Sequence, residues 1–182
     1  MMIIDEQFTQ HVLARASTEW HGDKVDFNDF TEALKEFIEA GNRLDRIKKA
    51  LFYGRDFAWE ADGVVLPTET PTVGGSPNGN AMTHAILGVA TEGVELCEAL
   101  LKGLTDPTHV DKINLAEEFG DVAWYRALGL SVLDETHIEN INRIDKKLEA
   151  RFGPVDVGFS ADRANNRDLD TERKVLEGGN NA

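Results

Sequence analysis

The sequence predicts an all-α protein, and three observations carry that expectation. Apolar residues recur at helical spacings of three and four over most of the chain. No pair of alternating apolar and polar runs reads as neighbouring strands. One long Pro- and Gly-rich segment interrupts an otherwise helical order.

The elements follow in chain order. Residues 5–15 read as a short first helix. From Phe27 to Tyr53 the residues Phe30, Leu34, Phe37, Ile38, Leu44, Ile47 and Leu51 mark a helix, with Asp26 or Asn28 as its start cap and Gly41 as a break point. Residues 63–80, GVVLPTETPTVGGSPNGN, hold Pro67, Pro71 and Pro77 and four glycines, and read as a loop with room for a small hairpin. A helix is expected from Met82 to Lys102, stopped by Gly103. Asp106-Pro107 then reads as N-cap and first residue of a helix reaching Leu133, with a break near Lys112. Thr136 and Glu139 form a capping-box pattern for a helix ending at Gly153-Pro154. The tail 155–182 is polar; Ser160 opens a short helix in it, and the final EGGNNA is expected to lack order. The segments are therefore 1–25, 26–62, the loop 63–80, a helical core 81–153 and the tail 154–182, within one domain overall.

A chain of 182 residues with 41% hydrophobic and 29% charged residues has the material for a packed core. Its formal charge of −14 repels a nucleic-acid backbone, which argues against DNA or RNA duplexes as partners. A small anion remains possible if a divalent cation mediates. Cys97 is the sole cysteine, so an intrachain disulfide and a Cys-rich zinc site are excluded, and a reducing, cytoplasmic compartment is the natural expectation. The opening MMIIDEQFTQ has neither the basic start nor the apolar core of a secretory signal. No apolar run is long enough for a membrane span.

The informative feature is a pair of acidic doublets. Glu92 and Glu95 are three residues apart on one expected helix, and Glu118 and Asp121 are three apart on the next. Residues at i and i+3 share a helix face, so each doublet presents two carboxylates to one locus. Adjacent antiparallel helices would bring the doublets together. Carboxylates so gathered repel unless cations sit between them, and hard oxygen ligands suit Mg²⁺ or Mn²⁺. The plain alternative is a solvated acidic face. For Glu92 and Glu95 it has equal weight, since they lie opposite the stripe Ile86, Ala90, Val94, Cys97 and Leu101. It is weaker for Asp121, because residues 119–133 are apolar around the helix and a helix of that kind is expected to be buried, as Asp121 then would be too.

GVATEGVEL (88–96) resembles the Glu-x-x-Glu segment of the MazG family, and LAEEFGDVAWY (115–125) resembles its second signature, Glu-x-x-Asp followed by an apolar-aromatic run. KKALFYGRD (48–56), His84, KKLEARFG (146–153) and GFSADRANNRDLDTER (158–173) are similar to segments of the phage and bacterial MazG-like subgroup. The resemblance spans residues 44–173 and is strongest over 84–125. Thr91, Gly93 and Val94 depart from the first signature, while its ligand positions are intact. Ile144 stands where the subgroup often carries Asn, and Asn142 lies two residues earlier, so Lys147 and Arg151 are the better phosphate candidates.

The resemblance implies a four-helix-bundle-like MazG fold, the all-α NTP pyrophosphatase fold, with 81–153 as its metal-binding core. It implies hydrolysis of (deoxy)nucleoside triphosphates to monophosphate and pyrophosphate by water attack at the α-phosphorus. Glu92, Glu95, Glu118 and Asp121 would hold two or three Mg²⁺ ions, with Mn²⁺ as a substitute. Glu92 or Glu95, Glu95 first, would orient or deprotonate the water. Lys147, Arg151, Arg163 and Arg167 would meet phosphates, although cations near a helix C-terminus often only complement its dipole. Glu117 reads as surface or as a support for Asp121. Phe52, Tyr53, Trp124 and Tyr125 are candidates to stack on the base, each more often a core residue. His84 reads as a hydrogen-bonded core residue before a metal ligand. The apolar surface of residues 119–133 implies a homodimer or homotetramer.

Three rival readings remain. An all-α dUTPase or a phosphoribosyl-ATP pyrophosphohydrolase would share the carboxylates. A ferritin-like di-iron oxidoreductase would need Glu-x-x-His, which is absent. A non-catalytic helical protein would use the acidic face to bind a basic partner.

Overall fold

The computed structural model describes residues 3–58, 79–106, 108 and 110–178. Every regular element among them is helical: α1 (Ile3–Arg15), α2 (Phe27–Tyr53), α3 (Gly79–Thr105), α4 (Lys112–Val132), α5 (His137–Phe152), α6 (Ala161–Asn165) and α7 (Leu169–Leu176). The all-α expectation holds. The loop expected over 63–80 lies outside the described residues up to position 78, while Gly79 and Asn80 already belong to α3. None of the described helices is long and apolar enough to cross a membrane. The chain divides into two compact units, residues 23–135 and residues 1–22 with 136–182. The stretch 81–153 contributes to both.

The unit 23–135 contains α2, α3 and α4, with α3 packed against both others. Asp26 starts α2 by accepting from the backbone N–H groups of Asn28 and Asp29. Gly54 ends it in the left-handed region, at φ 66°, where glycine carries no Cβ penalty. Gly41 does not split the helix. A Cβ there would lie 2.0 Å from Cγ2 of Val94, so the missing side chain lets α2 and α3 approach. Gly88 serves the α3–α4 contact in the same way, against the ring of Tyr125. The buried apolar residues of this unit are Leu34, Met82, Ala85, Val94, Tyr125 and Leu130.

Several expected boundaries and faces are corrected. The buried stripe of α2 is Thr31, Leu34, Gly41 and Lys48, whereas Phe37, Leu44 and Leu51 are exposed. Helix α3 runs through Gly103 to Thr105, because a helical glycine costs only about 1 kcal/mol and does not by itself end a helix. The N-cap of α4 is Asp111, which accepts from Ile113 and Asn114; Asp106 instead accepts from the backbone and hydroxyl of Thr108. Pro107 lies outside the described residues. Helix α4 is not buried all round. Ile113 is 81% exposed, Phe119 63% and Trp124 58%, since the helix packs on α3 and, through Tyr125, meets α2, which leaves these side chains uncovered.

The other unit gathers α1, α5, α6 and α7 around Ile141, Phe152 and Val175. The expected capping box is present: Thr136 accepts from the Glu139 backbone, and the Glu139 carboxylate accepts from the Thr136 backbone. Helix α5 stops at Gly153, φ 87°. Ser160 caps α6 as expected. Helix α7 had no counterpart in the expectation for the tail; Asp168 opens it by accepting from the N–H of Thr171. Asp145 on α5 ties down α1 by pairing with His11 at 2.8 Å and with Arg15. Of the EGGNNA end, residues 179–182 lie outside the described residues.

Candidate metal centre

Because α3 and α4 pack side by side, Glu92 and Glu95 on the first meet Glu118 on the second. One carboxylate oxygen from each lies within 4.8 Å of the others. Glu92 and Glu118 are each only 6% exposed, and Glu95 faces solvent. The buried face of α3 therefore includes Glu92 with Met82, Ala85, Gly88, Thr91 and Val94, while Ile86 of the expected apolar stripe is exposed. Asp121, one turn along α4 from Glu118, stands outside this trio and is exposed. Its expected burial is a correction, and it follows from the open outer face of α4. Glu117 is exposed and acts on Glu118 only through its charge.

The electrostatics follow from the crowding. Partial burial, then the charges of Glu118, Glu92 and Asp45, raise the Glu95 carboxyl to about 7, with Lys49 opposing. Glu118 is raised by burial and then by Glu92, Glu117 and Asp121, against a hydrogen bond from the Asn114 amide at 2.9 Å. Shifts of this direction mean that the site disfavours its own full ionisation and would gain from a cation. Three carboxylate oxygens at this separation supply the donor set and spacing that suit a hard divalent ion.

The structure adds a residue that carried no role in the sequence reading. Lys48 of α2 is 3% exposed. Its Nζ donates to Oγ1 of Thr91 at 2.6 Å and to Oε1 of Glu92 at 3.2 Å, lies 3.4 Å from Oδ1 of Asp45, and sits 5.0 Å above the ring of Tyr125. The seven-residue step Leu34, Gly41, Lys48 along the buried stripe is the sequence signal that would have found it.

Beside the carboxylates the aromatic candidates converge. His84 stacks on Phe52 with ring centroids 4.1 Å apart and 11° between planes. It presents edges to Tyr53, Trp124 and Tyr125 at 6.0, 6.4 and 5.5 Å. The hydroxyls of Tyr53 and Tyr125 are 3.3 Å apart. Tyr125 is buried, and its phenol is raised by burial and by the hydrogen bond to Tyr53. Tyr53 and Trp124 are both exposed. His84 is not hydrogen-bonded as expected: its Nε2 is buried with no partner among the described residues. Burial, then the charge of Lys48, lowers its pKa, so the ring is neutral at pH 7.

The basic candidates belong to the other unit, where three of them have partners. Arg151 grips the buried Glu172 with Nε and Nη2, both at 2.7 Å, and Arg167 adds Nη2 to the same carboxylate at 2.7 Å. The hydrogen bonds from Arg151 and then Arg167 lower Glu172 to about 2. Arg163 donates to the Phe152 carbonyl at the end of α5. Lys147 has no hydrogen bond or ion pair among the described residues, and burial with the charge of Arg151 lowers its pKa. No protein-family model, curated protein or solved structure matches the chain.

Proposed function

We propose that this chain is a Mg²⁺-dependent, MazG-like nucleoside triphosphate pyrophosphohydrolase with the corresponding all-α bundle, and that Glu92, Glu95 and Glu118 hold the ion with Asp121 beside them. One observation carries the reading: two acidic doublets set apart in sequence contribute three carboxylates to a single locus, and two of the three are buried. A solvated acidic face does not bury its glutamates, and although Lys48 offsets the charge of Glu92, buried Glu118 receives only the neutral Asn114 amide. Mg²⁺ would supply charge neutralisation on the triphosphate and a more acidic water.

The chain's own groups do the rest. Glu95, open to solvent beside the ion, would orient the attacking water or take its proton. The exposed rings of Tyr53 and Trp124 offer a face to the base, and the neutral His84 stands between them and the core. Attack at the α-phosphorus gives monophosphate and intact pyrophosphate.

The test is pyrophosphate release over common and modified NTPs and dNTPs with Mg²⁺ present and absent, with products followed by phosphorus NMR. Nucleoside diphosphate as first product would refute the α-phosphorus assignment. A preference for dUTP alone would favour the dUTPase relative. No hydrolysis of any nucleotide would leave a helical binding protein.

A further inference from the structure

A lysine enclosed beside carboxylates calls for a role beyond packing, because burying an ammonium is costly unless its partners offset the lost water. We propose that Lys48 is a positioning residue for the metal centre: with Thr91 it holds Oε1 of Glu92 and so presents Oε2 to the metal. This role rests on the metal-centre assignment above and is the same for any number of ions held there.

The two oxygens of Glu92 are used differently. Oε1 accepts from the Lys48 ammonium at 3.2 Å and lies 3.3 Å from the Thr91 hydroxyl. Oε2 has no hydrogen bond or ion pair among the described residues, so it is the oxygen left to a ligand. The ammonium is in turn fixed from several sides. The Thr91 hydroxyl accepts from it at 2.6 Å and itself donates to the Gly88 carbonyl at 3.0 Å. The Tyr125 ring lies 5.0 Å from Nζ, and Gly88 has no Cβ to keep that ring away. Asp45, one turn earlier on α2, lies 3.4 Å from Lys48 and also pairs with Lys49. The Lys48 side chain is 4% exposed, so these contacts leave the ammonium little freedom to move.

A free glutamate side chain samples many rotamers, and an ion that must order one binds less tightly. A charged hydrogen bond to one oxygen orders the carboxylate in advance and leaves the other for the metal. Lys48 therefore acts on an ion in two opposed ways. Its positive charge repels the ion, and its hold on Oε1 preorganises a ligand of that ion. Glu95 and Asp121 are exposed, so solvent screens the repulsion on the open side of the site, while the hold on Oε1 is buried. Positioning then outweighs repulsion, and removal of Lys48 weakens ion binding. Loss of a bystander charge would strengthen it.

The test measures the dissociation constant of the tightest Mn²⁺ on the full chain, from the free-ion electron paramagnetic resonance signal at about pH 8, where carboxylates are ionised. Melting curves of the metal-free variants establish that they fold. Lys48→Met keeps an unbranched stem and removes the ammonium; it is expected to bind Mn²⁺ about tenfold to a hundredfold more weakly. Thr91→Val keeps the shape of the side chain, removes the hydroxyl that aims Lys48, and leaves the charge in place. It is expected to weaken Mn²⁺ in the same direction by a smaller factor, and it decides the matter alone should the Met variant not fold. Because both act through Glu92, the double variant should bind no more weakly than Lys48→Met. A lysine that serves folding only predicts a lower melting temperature with Mn²⁺ binding unchanged or tighter. Unchanged or tighter binding in folded Lys48→Met, unchanged binding in Thr91→Val, or losses that simply add in the double variant overturn the positioning role. A wild-type chain that binds no tight Mn²⁺ overturns the metal centre itself, and the positioning role with it.

Discussion

At the scale of single residues the carboxylates of Glu92, Glu95 and Glu118 are held closer than their charges favour, and the sign of that strain is testable. Glu95 rises from an ordinary 4.5 to about 7 in the folded chain. The metal-free fold therefore keeps a proton that the unfolded chain gives up. The associated stability is fully present below about pH 4.5 and is lost as the pH climbs through about 7. Glu95→Gln should accordingly raise the melting temperature of metal-free protein at pH 8 while weakening Mn²⁺ binding, and a melting temperature below wild type would contradict the repulsion. Divalent-ion binding should release protons at pH 6 and far fewer at pH 9, which calorimetry in buffers of different ionisation heat measures. Glu118→Gln and Asp121→Asn separate the two members of the second doublet. If Glu118 is the ligand proposed above, its Gln variant should lose at least about a hundredfold in turnover, because it is the buried member of the second doublet that joins the trio. The exposed Asp121 should lose activity without loss of fold. A dispensable Glu118 beside an essential Glu117 would place the site on a different face of α4.

Helices were legible in the sequence where local chemistry marks them. Asp26, Thr136 with Glu139, and Ser160 each announce a start, and each occupies the cap position the sequence indicated. The ends marked only by glycine were not legible. Gly41 and Gly103 sit inside helices because tertiary contact, not propensity, decides their state. The spacing of the acidic doublets was legible, since Glu92, Glu95 and Glu118 follow from i and i+3 geometry on two packed helices. The depth of each carboxylate was not, because burial depends on which face a neighbouring helix covers. Packing left Asp121 exposed against the expectation and buried Glu92, for which a solvated face had carried equal weight. Lys48 went unassigned for the same reason: a lysine is ordinarily a surface residue, and only the packing of α2 on α3 makes it an interior one. The interhelical contact also yields a prediction. Gly41→Ala drives a methyl to within 2.0 Å of the Val94 side chain and should destabilise the fold by about 1–3 kcal/mol in chemical denaturation, more than the slight gain an alanine brings to an open helix. An unchanged or higher midpoint would mean that α2 and α3 are not packed this closely in solution.

At the scale of the molecule, Ile113, Phe119 and Trp124 of α4, Leu133 just past its end, and Phe37, Leu44 and Leu51 of α2 are exposed. Large apolar side chains in such number on packed helices point to association, and a homodimer or homotetramer is the expected state. Scattering at micromolar concentration checks it: a mass near the 20.1 kDa of one chain would rule association out. The pairing of α1 with α5 through Asp145 has a consequence for how the chain is built. His11 and Asp145 lie 134 residues apart, so α1 must wait until α5 has been made before it gains its partner. Residues 23–135 are contiguous and can close as they emerge. In refolding followed by pulsed hydrogen exchange, the amides of α2, α3 and α4 should become protected ahead of those of α1, so that the chain assembles from its middle outward.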